Sequence, residues 1–470
     1  MDELADLDAL CTRLAGSSLL RDREVVQLAP SDPAPIDLSA ALAAALAKPV
    51  GTPPLHELAR GRGTAVVITS DATRATPSDA LIGPVMTELA RAGISSDDVE
   101  VVIGVGAHRP ATPEEIRRLL GDQWATRLRV TNHDARAADL VAIGRTSRGT
   151  PLLVNRRVAQ AGLRIAFGQV EPHEFAGFTG GRKAILPSVA GYESIICNHA
   201  LDMLSAPTAR PGILEGNPIH DEMLAAARLA RLDFIVNVAL DRDSRPIAVA
   251  AGDVDQAHLQ LVGFLRRHFG VPALTRPPAV IVTAPGRPLD INLYQAVKAL
   301  VGIEPLLDAT NGGAAAPVVV LLARCWDGGG SEEMFEPFLQ ARERLENETA
   351  DALPRAEALS RAVLACLEDD YTIEKDESYF MARLTPKCRA VIACCPGVAD
   401  ERLRLLGWEP AADADAAVAR ALELSGGTTG AAGAGATGSG ATGAGRGHDS
   451  HDDGSRLVVV CPRAQRALFA

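Results

Sequence analysis

The feature that most constrains this chain is an alternation, sustained from end to end, of short apolar β-branched runs with segments whose apolar residues recur at helical period. Parallel strands need long crossovers, usually helices, so this alternation predicts an α/β fold with largely parallel sheets. TAVVITS, DATRATP and SDALIGPVMTELARAG read as strand, loop and helix, with Ser78 expected to cap the helix and Gly93 to end it in a left-handed turn. VEVVIGVGA, HRPA and TPEEIRRLLG repeat the plan, and there Thr112 and Glu115 predict a capping box with Pro113 at the first helical position. LRIAFGQV is a third apolar run. Further on, DFIVNVAL and PIAVAAG flank DRDSR as an antiparallel hairpin would, and DQAHLQLVGFLRRHFG follows as an amphipathic helix.

A chain of 470 residues, 47% of them apolar, exceeds what one core usually organises. Two α/β domains are therefore expected. The proline-rich VPALTRPP places their boundary near 272, giving domains over 1–272 and 273–470. In the second, AVIVTA, PVVVLLA, RAVIACC and LVVVC read as four strands, and the Gly/Ala/Thr tract over 425–455, which includes His448 and His451, reads as a flexible insertion. A net charge of −12 argues against nucleic-acid or anionic-membrane partners, so an anionic ligand needs a local basic site. MDELADLDALCTRLAG lacks the basic leader of a secretory signal, and no apolar run approaches the ~20 residues that span a bilayer. Eight scattered cysteines suit a reducing, cytoplasmic setting, and the adjacent Cys394 and Cys395 suit a buried strand better than a zinc site.

Polar residues fall in a pattern. Asp71 and Arg74 follow TAVVITS, His108 follows VEVVIGVGA, and His173 follows RIAFGQV, each just past a predicted strand end. In open parallel sheets ligands bind at that edge. EPHEFAGFTGGRKAILP adds paired glycines before a lysine, an arrangement that can hold an anion, although it is not a Walker A loop, and HEFAG is not HExxH. His173 and His199 are too far apart in sequence to share a helical turn, so only tertiary folding could unite them. APGRPLDINLYQAVKAL places Tyr294 and Lys298 four apart on one predicted helix face, with Gln295 beside them, where an interdomain cleft would use them.

Taken together, SDATR, GAHRPAT, EPHEFAGFTGGRKAILP, GYESIICNHA, GNPIH and PLDINLYQAVKAL resemble the nickel-pincer lactate racemase family, in the same order over roughly residues 15 to 400. The resemblance implies a cofactor built on a nicotinic acid mononucleotide with sulfur ligands and nickel. Lys183 matches the residue that tethers it, His199 the nickel ligand, and His108 and His173 the paired general acid/bases. Arg74 and Lys298 match the substrate-holding groups, with Gln295 and Tyr294 near the substrate and Asp71 near the cofactor. Gly180, Gly181 and Arg182 would hold the cofactor's phosphate end.

The resemblance also implies a reaction. Removing the C2 proton of a 2-hydroxy acid carboxylate would leave a dianion-like carbanion, which hydride transfer to a pyridinium-type cofactor avoids. One histidine takes the hydroxyl proton as the hydride leaves, and the flat 2-keto acid can receive it back on the other face. Arg74 suits a carboxylate as a bidentate fork, and Lys298 as a point charge. Expected partners are a small 2-hydroxy acid and the enzymes that make the cofactor. KDESYFMARL offers only Tyr379 near a position where the family's lactate enzymes carry tryptophan, which leaves the group beyond C2 open. His220 in GNPIH reads as structural rather than as a ligand. The alternatives are a zinc or nickel hydrolase or lyase using the histidines directly, and a noncatalytic cofactor-binding protein.

Overall fold

A computed structural model describes residues 7–310, 316–347, 355–426 and 457–469. Two six-stranded sheets dominate. The first has strands in the spatial order 246–252, 234–240, 163–169, 65–70, 99–104 and 129–132, all parallel except the edge strand Pro246–Gly252. That strand forms the expected hairpin with Phe234–Leu240. The second sheet is parallel throughout, in the order 24–27, 457–462, 280–284, 318–322, 390–394 and 409–410. Its four central strands are those read from the sequence. Strand Glu24–Gln27 pairs in parallel with Leu457–Val460, so the start of the chain is hydrogen-bonded into this second sheet although it lies within the 1–272 segment. Only four residues long and half polar, it carries too little periodicity to announce its partner.

Local signals behave as their chemistry dictates, with two differences. Thr112 and Glu115 form a reciprocal capping box with Pro113 in the first turn, and Gly93 takes φ +88° after helix Ser78–Arg91. Ser78 does not cap that helix: it is the first helical residue, and its hydroxyl meets Thr69 Oγ1 at 2.6 Å, tying helix to strand. The helix expected to carry Tyr294 and Lys298 is two short pieces, Leu293–Ala296 and Lys298–Gly302. Cys394 ends a buried strand. Of the 425–455 tract, residues 427 onward, with His448 and His451, lie outside the described residues.

Valines and isoleucines on both faces of the central strands produce three apolar clusters. One covers the outer face of the first sheet, with Val67, Val101 and Ile165 under Leu81 and Leu89. Another covers the outer face of the second, with Val282, Val320 and Val460 under Val418. The largest holds Val66 and Ile68 of the first sheet and Ile281 and Val319 of the second. A continuous core thus joins the two sheets, and their loops enclose a cleft. Among the described residues no helix is long and apolar enough to cross a membrane.

Candidate active site

A cleft of about 520 Å³ is lined by strand-end loops of the first sheet and by the 292–298 and 373–376 segments beyond the linker. Asp71, Arg74, His108, His173, Gly180, Gly181, Lys183, His199, Tyr294, Gln295 and Lys298 all line it. Sequence positions spread over more than 220 residues converge because parallel strands send their following loops to one edge.

Each side chain is placed by a short local device. After strand Ala65–Ser70 a turn closes from the Arg74 amide to the Asp71 carbonyl, at 3.2 Å. Asp71 Oδ1 accepts from the Thr73 amide at 3.0 Å and from its hydroxyl at 2.5 Å, leaving Oδ2 to accept from His108 Nδ1 at 2.8 Å. That bond leaves the His108 Nε2 lone pair available. Burial alone would push the Asp71 carboxyl up, but His108 and Thr73 outweigh it and lower it.

His173 sits in a two-strand ribbon, Pro172–His173 against Gly177–Phe178. Glycine at 177 is required there: φ is +75°, and a Cβ would lie 2.3 Å from the Ile213 carbonyl oxygen. His173 Nε2 lies 2.9 Å from Lys183 Nζ. Lys183 projects from the turn Gly181–Ala184, which begins at Gly180 with φ +78°. Desolvation, reinforced by Arg182, Arg74 and Lys298 against the pull of Glu174, holds the Lys183 amine well below its usual range. A neutral amine is the nucleophilic form. Burial lowers His173 in the same way.

His199 follows helix Tyr192–Asn198, and its Nδ1 donates to the Ile195 carbonyl at 3.1 Å. The Nε2 lone pair is then the free one, as a metal-ligating imidazole requires. Desolvation takes this imidazole down to about 3, keeping it neutral. Phe175 stands between the two histidines, edge-on to both, with ring centroids 4.6 Å from His173 and 4.9 Å from His199.

Lys298, although buried, is raised in pKa: Glu174 and Glu377 overcome its desolvation. Tyr294 donates to Asp376 Oδ1 at 2.8 Å, and Gln295 Oε1 is buried without a partner. Desolvation pushes Asp376 up to about 7.

Two residues expected to hold the cofactor, Arg182 and Gly181, are used differently. Arg182 does not face the cleft. Its buried guanidinium donates to the Ala176 carbonyl at 2.7 Å and lies 2.9 Å from His258 Nε2, bracing the lysine loop from behind, because the turn that aims Lys183 inward aims its neighbour outward. The Gly181 amide is already taken by Asn237 Oδ1, at 2.8 Å. His220 lies outside the cleft lining, at the start of helix Pro218–Leu229, with a buried unpartnered Nδ1. Glu174, Phe175 and Asp376 escaped notice in the sequence. HEFAG held the only signal for the first two, a carboxylate and an aromatic flanking a candidate base.

Comparison with known proteins agrees with this geometry. Residues 17–212 match the lactate racemase N-terminal domain and residues 275–432 the lactate racemase C-terminal domain. The chain is 38% identical over 291 residues to a lactate racemase of Lactiplantibacillus plantarum, covering 62% of this chain and 67% of that one. It is 36% identical over 301 residues to that of Thermoanaerobacterium thermosaccharolyticum, covering 64% and 68%. The solved lactate racemase apoprotein of the latter organism superposes with a TM-score of 0.77 at 28% identity, over 96% of this chain and 95% of that one. A Thermotoga maritima structure at 15% identity and TM-score 0.55, covering 76% of this chain and 90% of that one, shares the fold. Domain matches over both halves, relatives above one-third identity and a full-length structural counterpart place this chain in the lactate racemase family, among the isomerases.

Proposed function

We propose that this protein interconverts the enantiomers of a lactate-like 2-hydroxy acid, using a nickel-pincer nucleotide attached at Lys183. The observation that carries the reading is the gathering in one cleft of Lys183, His199 and two histidines from the loops after strands 99–104 and 163–169.

The residues fit such a group. A desolvated lysine can form a covalent tether, and His199 offers one free imidazole nitrogen. Among the described residues no three His, Cys, Asp or Glu side chains converge on a point. One protein ligand suits a metal that brings its other donors with the cofactor, whereas a hydrolytic zinc needs about three from the protein. When bound, such a group supplies a hydride acceptor beside C2.

The protein supplies the rest. Arg74 and Lys298 receive the substrate carboxylate, one as a fork and one as a point charge. The free Gln295 oxygen can accept from a substrate hydroxyl. His108 and His173 serve one enantiomer each: the neutral imidazole takes the substrate hydroxyl proton, the other, protonated, gives the product its hydroxyl proton, and the two exchange protonation states with each turnover.

Mass measurement of the intact protein from its native host, with peptide mapping, tests the tether: added mass should map to Lys183. Chiral chromatography should then show interconversion of D- and L-lactate. His108→Ala and His173→Ala should each abolish turnover and keep the added mass. Unchanged racemisation by either variant would refute the role given to that histidine.

A further inference from the structure

Glu174 is a buried carboxylate inside the cleft with no role so far. Its side chain is 10% exposed, Oε1 lies 3.1 Å from Lys298 Nζ, and Oε2 lies 3.4 Å from His173 Nδ1. Burying a carboxylate is costly unless it is paired, and Lys298 provides the pairing. The result is a continuous chain of Lys183, His173, Glu174 and Lys298 that links the tether, the base and the carboxylate receptor.

We propose that Glu174 is a positioning residue that keeps the His173 proton on Nδ1 and its lone pair on Nε2, as Asp71 does for His108. This rests on the racemase reading above. Two features argue for it. The Glu174 carboxylate stands 3.4 Å from Nδ1, where its negative charge favours a proton, and the Nε2 lone pair this leaves can accept from Lys183 Nζ, 2.9 Å away. A racemase also needs two competent bases: its equilibrium constant is one, so kcat/KM must be equal in both directions, and a weak base on either side limits both. Backing each imidazole with a carboxylate meets that requirement. Against it, the Phe175 and Ala176 amides point at His173 Nδ1, at 3.5 and 3.4 Å, and would favour the opposite tautomer. The full negative charge of Glu174, held by Lys298, outweighs two long amide contacts.

Long-range ¹H–¹⁵N correlation spectra of the histidine-labelled full-length apoprotein test this directly, with His173→Gln for assignment. The expected spectrum has His173 protonated at Nδ1, moving toward the Nε2–H form in Glu174→Gln. An Nε2–H tautomer in the unaltered protein would overturn the proposal. In the cofactor-loaded enzyme with D- and L-lactate, Glu174→Gln should lower kcat about 100-fold, in the range of a positioned base, without raising KM. Glu174→Asp should recover about tenfold of the loss. A KM that rises in step with the fall in kcat, with the tautomer unmoved, would reduce Glu174 to a structural residue and overturn the proposal. If the loaded unaltered enzyme leaves lactate and a panel of other 2-hydroxy acids untouched, the racemase reading fails, while the imidazole spectrum still decides the part played by Glu174.

Discussion

Glu304 is a completely buried carboxylate whose partners come from both halves of the chain. It accepts from Arg383 at 2.6 Å and Lys387 at 2.8 Å, and Arg210, from the other side of the linker, lies 3.7 Å away. Asp308 pairs with Arg210 and Lys387 and shares the load. Glu304→Gln keeps the shape and removes one charge, leaving three cations facing a single carboxylate. Two charge-assisted hydrogen bonds at about 1.5–3 kcal/mol each give about 3–6 kcal/mol. That agrees with the ~3–5 kcal/mol lost when one member of a buried pair is removed. At roughly 1 °C per kcal/mol for a chain of 470 residues, the thermal midpoint should fall by about 3–5 °C. Thermal and urea denaturation measure this, and a cycle with Arg210→Met isolates the contact across the linker. Lys298 lies just ahead of Glu304 in the same run of short helices, so KM for lactate should rise as the cleft wall loosens. A midpoint change under about 2 °C would refute the reasoning, because it would mean that the three cations need no buried counter-charge.

Other perturbations probe the site directly. Asp71→Asn can still accept from Thr73 but would donate to His108 Nδ1, forcing the proton to Nε2; kcat should fall about 10²–10³-fold with little change in thermal midpoint. Gly180→Ala forces a Cβ to within 2.8 Å of Val170 Cγ2 at φ +78°, so it should displace the lysine loop and suppress added mass at Lys183 in protein from the native host. His220 is held at about 3 by burial, with Arg182 adding to the shift, so below pH 6.5 the unfolded chain binds a proton that the native state refuses. Stability is then full above about pH 6.5 and falls on acidification, by about 2 kcal/mol at pH 5 from this residue alone, and urea midpoints for His220→Gln should show a correspondingly flatter pH profile.

The sequence by itself determined the α/β plan, the hairpin, the capping box and the segments that carry the site, because periodicity, caps and turn residues are local signals. GFTGGRK announced a lysine on a glycine turn, and strand ends announced Asp71, Arg74, His108 and His173. Only the tertiary structure decided which atoms meet. It alone aimed Lys183 into the cleft and its neighbour Arg182 away, took the Gly181 amide for Asn237, and set Glu174 between His173 and Lys298. It alone put strand Glu24–Gln27 beside Leu457–Val460, more than 400 residues on. The physical reason is range: backbone propensities act over a few residues, whereas pairing, burial and ionisation depend on distances of a few ångströms between groups far apart along the chain.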